Sequence, residues 1–282
     1  MSALPSPHPF FLARDQGQRL AILHRPAVGV PVRSVVLHVH AFAEEMNKAR
    51  RMVAQQARAL AQAGHAVLLL DLAGCGDSSG DFGDATWDAW LDDVLAGCDW
   101  LRRELPGAPL WLWGLRAGCL LACAAAARLS PAAAGLLLWQ PPASGQQVLT
   151  QFLRLKAAGS LADGQAKAAL EAVRRQLAQG EAAEIAGYAL SAALAEGLAA
   201  ATLSPPATPG RLVWRELSSR PEPALSPAAD KPLAAWRGAG WQVQAAAVAG
   251  PAFWQTTEIE DAPALLQSTT AALAPVKTEA LA

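Results

Sequence analysis

Between Arg33 and Gln140 the chain alternates two patterns of apolar and polar residues. Short apolar runs predict buried strands at Arg33–His40, His65–Asp71, Pro109–Trp113 and Ala134–Gln140. Between them, apolar residues at helical spacing predict helices over Met46–Ala63, from Thr86 to about Arg103, and again after Gly118. Gly64 fits a C-cap for the first helix, and Thr86 opens the second with Asp88 in its first turn. A polar, glycine-rich loop, Gly74–Gly80, follows the second strand. From about residue 146 to 203 the spacing is helical only, with no strand candidate, and Pro205–Pro209 closes the stretch as a rigid turn. The alternation then resumes with a strand at Arg211–Leu217, a helix at about Ala228–Arg237, a strand at Trp241–Val248 and a last helix from about Ile259 to Leu273.

Strands alternating with helices predict an α/β protein with a mostly parallel central sheet covered on both faces. The helical stretch divides it into a core, residues 1–145 and 209–282, and a helical cap insert, residues 146–208. A cap between late strands lies over the C-terminal strand ends, where open α/β sheets bind ligands.

Composition removes several function classes. Lys+Arg 23 against Asp+Glu 24 leaves a net charge of -1, so there is no basic footprint for a nucleic-acid partner. The apolar run from Leu110 to Ala127 approaches a membrane span in length. Gly114 and Gly118 divide it into a short strand and a small-residue helix, so no membrane span is predicted. Met1–Phe11 lacks the basic-then-apolar pattern of a signal peptide. Cys75, Cys98, Cys119 and Cys123 form no CxxC pair, which disfavours a metal site and reads as buried thiols in a reducing compartment. The five histidines, His8, His24, His38, His40 and His65, all lie in the first quarter. Any chemistry that needs a C-terminal histidine is therefore excluded.

One motif carries the chemistry. Gly114-Leu-Arg-Ala-Gly118 sits between a buried strand and a helix, where a nucleophile elbow, Gly-x-Ser-x-Gly, is expected. Its central residue is Arg116. A guanidinium, with a pKa above about 12 and no lone pair to attack with, is not an acyl nucleophile. Three readings of Arg116 stand: an anion-binding residue at a pocket floor, an internal ion pair with Glu44 or Glu45, or an exposed side chain. Glu44 and Glu45 either favour the start of a helix or face Arg116 as a general base. His40 is either a pocket acid or base or a loop-packing ring, and His38, on the same strand face, reads as core. Cys119, in the first turn after the elbow, is a fallback nucleophile with the wrong geometry. Asp77 and Asp81 read as satisfying the glycine-rich loop locally. Trp111, Trp113 and Trp139 read as core.

The sequence resembles the α/β-hydrolase family and, within it, the hydrolase-2 type associated with exosortase A systems. The similarity rests on residues 38–51, 71–82, 114–118 and the run Phe253-Trp-Gln-Thr-Thr-Glu258, and it spans about residues 10 to 273. It implies the α/β-hydrolase fold with an oxyanion hole from the backbone N–H groups of Phe42 and Ala117. It would place the acid in Glu216–Glu222, which holds no Asp, and the base in Gly250–Trp254, which holds no His. Phe253 and Trp254 would then line the pocket. The resemblance implies a cytoplasmic protein of Gram-negative bacteria, linked to exopolysaccharide synthesis and protein sorting, with no cofactor. The expected ligand is an anionic small molecule or a lipid-linked saccharide. With nucleophile and base both missing, classical acyl transfer is disfavoured. The remaining alternatives are a hydrolase with a degenerate triad, using His40, Glu44 or Glu45, and a non-catalytic binding or scaffold protein of the same fold.

Overall fold

In the computed structural model, which describes residues 7–159 and 166–274, an eight-stranded sheet forms the centre of the molecule. The strands are β1 (His8–Ala13), β2 (Gln18–His24), β3 (Ser34–Val39), β4 (His65–Leu70), β5 (Leu110–Leu115), β6 (Gly135–Trp139), then, after a separate hairpin of β7 (Ala183–Ile185) and β8 (Tyr188–Leu190), β9 (Arg211–Ser218) and β10 (Gln242–Ala249). The sheet order is β1-β2-β4-β3-β5-β6-β9-β10. From β4 to β10 all neighbours are parallel, and β2 is antiparallel to both β1 and β4. The central strands are apolar at nearly every position because helices cover both faces.

Helices α1 (Glu44–Gln62), α2 (Trp87–Glu104) and α3 (Ala117–Arg128) follow the early strands. The Thr86 side chain caps α2 by accepting from the Ala89 N–H at 3.1 Å, and Gly64, at φ 94°, ends α1. The insert between β6 and β9 contains α4 (Gly145–Gly159), α5 (Ala166–Ala178), the β7–β8 hairpin and α6 (Ala192–Ala200). It departs and returns side by side, with Ser144 bridged to Thr202 and the Gly145 N–H bonded to the Ala201 carbonyl at 2.9 Å. Two further helices, α7 (Pro227–Gly238) and α8 (Pro263–Leu273), complete the layers. Leucine and tryptophan side chains of α2, α3 and α7 pack on one sheet face, and α1 and α8 pack on the other. Among the described residues no helix is long and apolar enough to cross a membrane.

Three expectations from the sequence need correction. The β1–β2 hairpin was not expected; β1 is an edge strand with mostly exposed side chains, so it lacks an apolar run. The insert is not helical throughout, since Ala186 and Gly187, at φ 50° and 84°, turn β7 back onto β8. Two positive φ values define this tight hairpin turn, and an alanine in the first position hides it. The last helix starts at Pro263 rather than near Ile259, because proline is suited to the first helical position and breaks a helix elsewhere.

Candidate functional site

The site grows from two sharp turns at the C-terminal edge of the sheet. After β5 the chain turns at Arg116, at φ 53° and ψ -122°, directly into α3. After β3 it turns at Ala43, at φ 49° and ψ -124°, directly into α1. Both values lie where a residue with a Cβ is strained. The glycines around Arg116 allow close approach. A Cβ on Gly118 would collide with the carbonyl oxygens of Val39 and His40, and one on Gly114 would lie 2.5 Å from the Cys119 Cα. The Arg116 N–H is fixed to the Trp139 carbonyl at 2.9 Å. Among the described residues, the N–H groups of Phe42 and Ala117 donate to no other protein group.

This backbone thrusts the Arg116 side chain up between α1, the insert and the loop after β10. Its Nε donates to Glu45 Oε1 and Oε2 at 3.2 and 3.4 Å, and its Nη2 donates to Gln151 Oε1 at 3.0 Å. The guanidinium carbon lies 5.5 Å from the centre of the Trp254 ring. Arg116 is only 8% exposed, so its charge is met by a carboxylate, an amide and a π face rather than by water. Burial pushes the Glu45 carboxyl above its usual range; the Arg116 charge and hydrogen bonds from Arg116 and Gln255 offset this in part.

Above the ion pair lies a cavity of about 370 Å³. Glu44, Glu45, Lys48, Gln151 and Gln255 supply its polar wall, and Phe42, Val148, Phe152, Leu155 and Trp254 its apolar wall. Among the described residues, no hydroxyl, thiol or imidazole lines it. Glu44 Oε2 and Trp254 Nε1 are both buried without a hydrogen-bond partner. Burial raises the Glu44 carboxyl above its usual range, while its own backbone N–H and Lys48 lower it in part. Phe42 anchors the wall through edge contacts with Phe82 at 5.5 Å, Trp90 at 5.8 Å and Phe152 at 5.1 Å, joining core and insert.

Not every candidate residue is in this group. His40 is turned away: its Nδ1 meets the Ala41 carbonyl at 2.7 Å and its Nε2 accepts from the Leu72 N–H at 3.4 Å. Burial lowers its pKa, and the ring lines a different cavity. Phe253 stands behind the cavity wall, between Trp139 and Trp254, whereas Trp254 lines it. Cys119 is fully buried, its Sγ bonded to the Trp139 carbonyl at 3.4 Å, and burial raises its pKa well above the thiol range. It therefore fails as a nucleophile. Glu216 accepts from Trp214 Nε1 and from the N–H and Oγ of Ser226, the residue just before α7. Glu222 is exposed. Gln151 and Gln255, both contacts of the Arg116–Glu45 pair, were not singled out from the sequence. Gln255 stands within the Phe-Trp-Gln-Thr run, so position in that run was the available signal.

The strand order, the elbow between β5 and α3 and the insert between β6 and β9 together define an α/β-hydrolase fold. The family model described as serine aminopeptidase, S33, matches residues 30–202, and the chain belongs to that family. Among solved structures, Est1E from Butyrivibrio proteoclasticus with ferulic acid bound is 18% identical, with a TM-score of 0.66 over 93% of this chain and 95% of that one. An alpha-beta serine hydrolase homologue from Coxiella burnetii is 16% identical, with a TM-score of 0.57 over 95% and 97%. A highly thermostable carboxyl esterase from Bacillus coagulans, in complex with glycerol, is 12% identical, with a TM-score of 0.56 over 87% and 90%. At these identities the likeness is one of fold. No curated protein matches the chain.

Proposed function

We propose that this chain is a binding protein built on the α/β-hydrolase fold, which holds a hydroxyl-rich ligand above the Arg116–Glu45 pair without forming an acyl-enzyme. The observation that carries this reading is the 3.2 Å contact between Arg116 Nε and Glu45 Oε1. It fills the elbow with a neutralised pair, and an arginine so engaged is not a free receptor for an anion. Glu44 and Glu45 on the cavity wall call for donors, while Lys48 and the amides of Gln151 and Gln255 call for acceptors as well. A sugar hydroxyl serves as both. Lys48 is the cation lining the wall and suits an anionic end of the ligand. The resemblance to exosortase-associated proteins favours the saccharide part of a lipid-linked intermediate, and the four free buried thiols agree with a reducing cytoplasm. A second reading, an enzyme that moves a proton without a covalent intermediate, rests on Glu44 alone, a cavity-lining carboxyl that burial raises above its usual range.

The test pairs reactivity with binding. A fluorophosphonate probe is expected to give no adduct, and p-nitrophenyl esters no turnover above background. Native mass spectrometry of freshly purified protein is expected to show a co-purified saccharide-bearing molecule. A serine adduct would overturn the absence of acyl chemistry, and saturable catalysis abolished by Glu44→Gln would favour the second reading.

A further inference from the structure

Among the described residues the central sheet ends in two open edges, and the two differ. At one end β1 pairs only with β2. The Arg14 N–H bonds the Gly17 carbonyl at 3.0 Å, so even-numbered residues of β1 face β2, and Pro9, Phe11 and Ala13 face outward. Proline has no N–H to give, so this edge cannot complete a ladder with a further strand. An outward proline is one of the devices that keep an edge single.

At the other end β10 pairs only with β9, in unbroken register from Gln242 to Ala249. The N–H groups of Gln242 and Gly250 bond the carbonyls of Gly210 and Ser218 at 3.0 and 3.2 Å. Even-numbered residues therefore face β9, and Val243, Ala245, Ala247 and Ala249 turn both N–H and C=O outward. Among the described residues, none of these outward groups has a hydrogen-bond partner. The strand holds no charged residue, proline or bulge, so nothing blunts it.

Symmetry and charge then restrict the occupant. A second β10, brought up antiparallel by a two-fold axis through Ala246, sets Val243 against Ala249 and Ala245 against Ala247, and the reverse. Residues so paired exchange both N–H···O bonds, so no outward group is left over. Helix α8, which packs against β10 on one face, has no charged residue. Helix α7, against the other face, exposes both signs, Asp230 beside Lys231 and Arg237. A copy of this surface therefore brings no like charge against the strand or α8. We infer that β10 is a homodimer interface, at which a second copy of this chain pairs antiparallel through β10 and the two sheets join into one.

Analytical ultracentrifugation over a concentration series measures the association, and hydrogen exchange followed by NMR locates it on the wild type. A monomer–dimer equilibrium is expected. The amides of Val243, Ala245, Ala247 and Ala249 should exchange more slowly as protein concentration rises. Those of Gln242, Gln244, Ala246 and Val248, which face β9, should be protected at every concentration and serve as the reference. Ala247→Pro removes an N–H that the monomer leaves to solvent, so the β9 ladder is kept. The two-fold loses that bond in both copies, and association should weaken at least about tenfold. Phe11→Pro, on the other edge, should leave association unchanged. The inference is overturned by a monomer at every concentration, by outward amides whose exchange ignores concentration, by undiminished association of folded Ala247→Pro, or by weakened association of Phe11→Pro. Protection that requires a different co-purifying protein overturns the second copy as the occupant. If Ala247→Pro does not fold, the wild-type exchange pattern decides alone.

Discussion

Replacing Glu45 with alanine would leave the Arg116 guanidinium beneath the insert without its counter-charge. Removing one partner of a fully buried ion pair costs about 3–5 kcal/mol, chiefly because the other charge is stranded. Here the two side chains keep 10% and 13% of their exposure, and Arg116 retains Gln151 and the face of Trp254. The expected loss for Glu45→Ala is therefore at the lower end, about 2–3 kcal/mol. Arg116→Met should cost less, about 1–2 kcal/mol, because a stranded Glu45 can take up a proton and keeps its bond from Gln255. Joining Arg116→Met with Glu45→Leu removes both charges, and it should return stability to within about 1 kcal/mol of the wild type. Urea unfolding followed by the fluorescence of the ten tryptophans measures all four proteins. The sign with pH follows from the raised Glu45 carboxyl. A group whose folded pKa is raised contributes stability at low pH that is lost as pH rises through that pKa, so the cost of Arg116→Met should shrink as pH falls toward the carboxylate range. A cost below about 0.5 kcal/mol for Glu45→Ala, or a double variant no more stable than Glu45→Ala, would refute the pair as the support of this site.

Two further outcomes test the frame around it. Burial holds His24 and His65 at about 4 and His38 at about 3; Arg58 adds to the effect on His24, Arg33 on His65, and His40 and Arg50 on His38. Because these folded values lie below the ordinary 6.5, stability should be full above that pH and lost as pH falls from there toward 4; an unchanged urea midpoint between pH 7 and pH 4.5 would contradict this. Gly118→Ala should fail to give soluble folded protein, since the new methyl group would meet the carbonyl oxygens of Val39 and His40, and a well-folded variant would show that β3 and the elbow are not locked together.

The parallel part of the sheet was legible because each central strand is buried on both faces and reads as an unbroken apolar run. The edge hairpin was not, since β1 alternates exposed and half-buried residues and has no such run. The clustering of histidines in the first quarter leaves no histidine late in the chain and pointed to His40, whose ring the backbone engages through Ala41 and Leu72. Which way a side chain leaves the last residue of a strand depends on the turn that follows, and the strain at Ala43 leaves no composition signal. Arg116 and Glu45 could be brought together from the sequence because a buried charge needs a partner and the start of α1 follows the strand beside the elbow. Gln151 lies 35 residues beyond Arg116 on the insert, and only the packing of α4 brings the two within reach.

That packing gives the strained backbone at Arg116 a physical role without a nucleophile. A non-glycine residue held at positive φ costs about 1–3 kcal/mol and persists only where its surroundings over-determine it. Arg116 has such surroundings. Its N–H is tied to β6, its Nε to α1 and its Nη2 to the insert, while its π contact reaches the loop after β10. An elbow throws its central side chain outward from the sheet, and arginine is long enough to span all three segments from there. A serine in the same place would reach none of them. Relaxing the elbow would therefore detach the cavity floor from both its walls. For the same reason a ligand that enters above Glu45 and Gln151 would meet a floor whose own charges are satisfied, as the proposed preference for hydroxyls over a free anion requires.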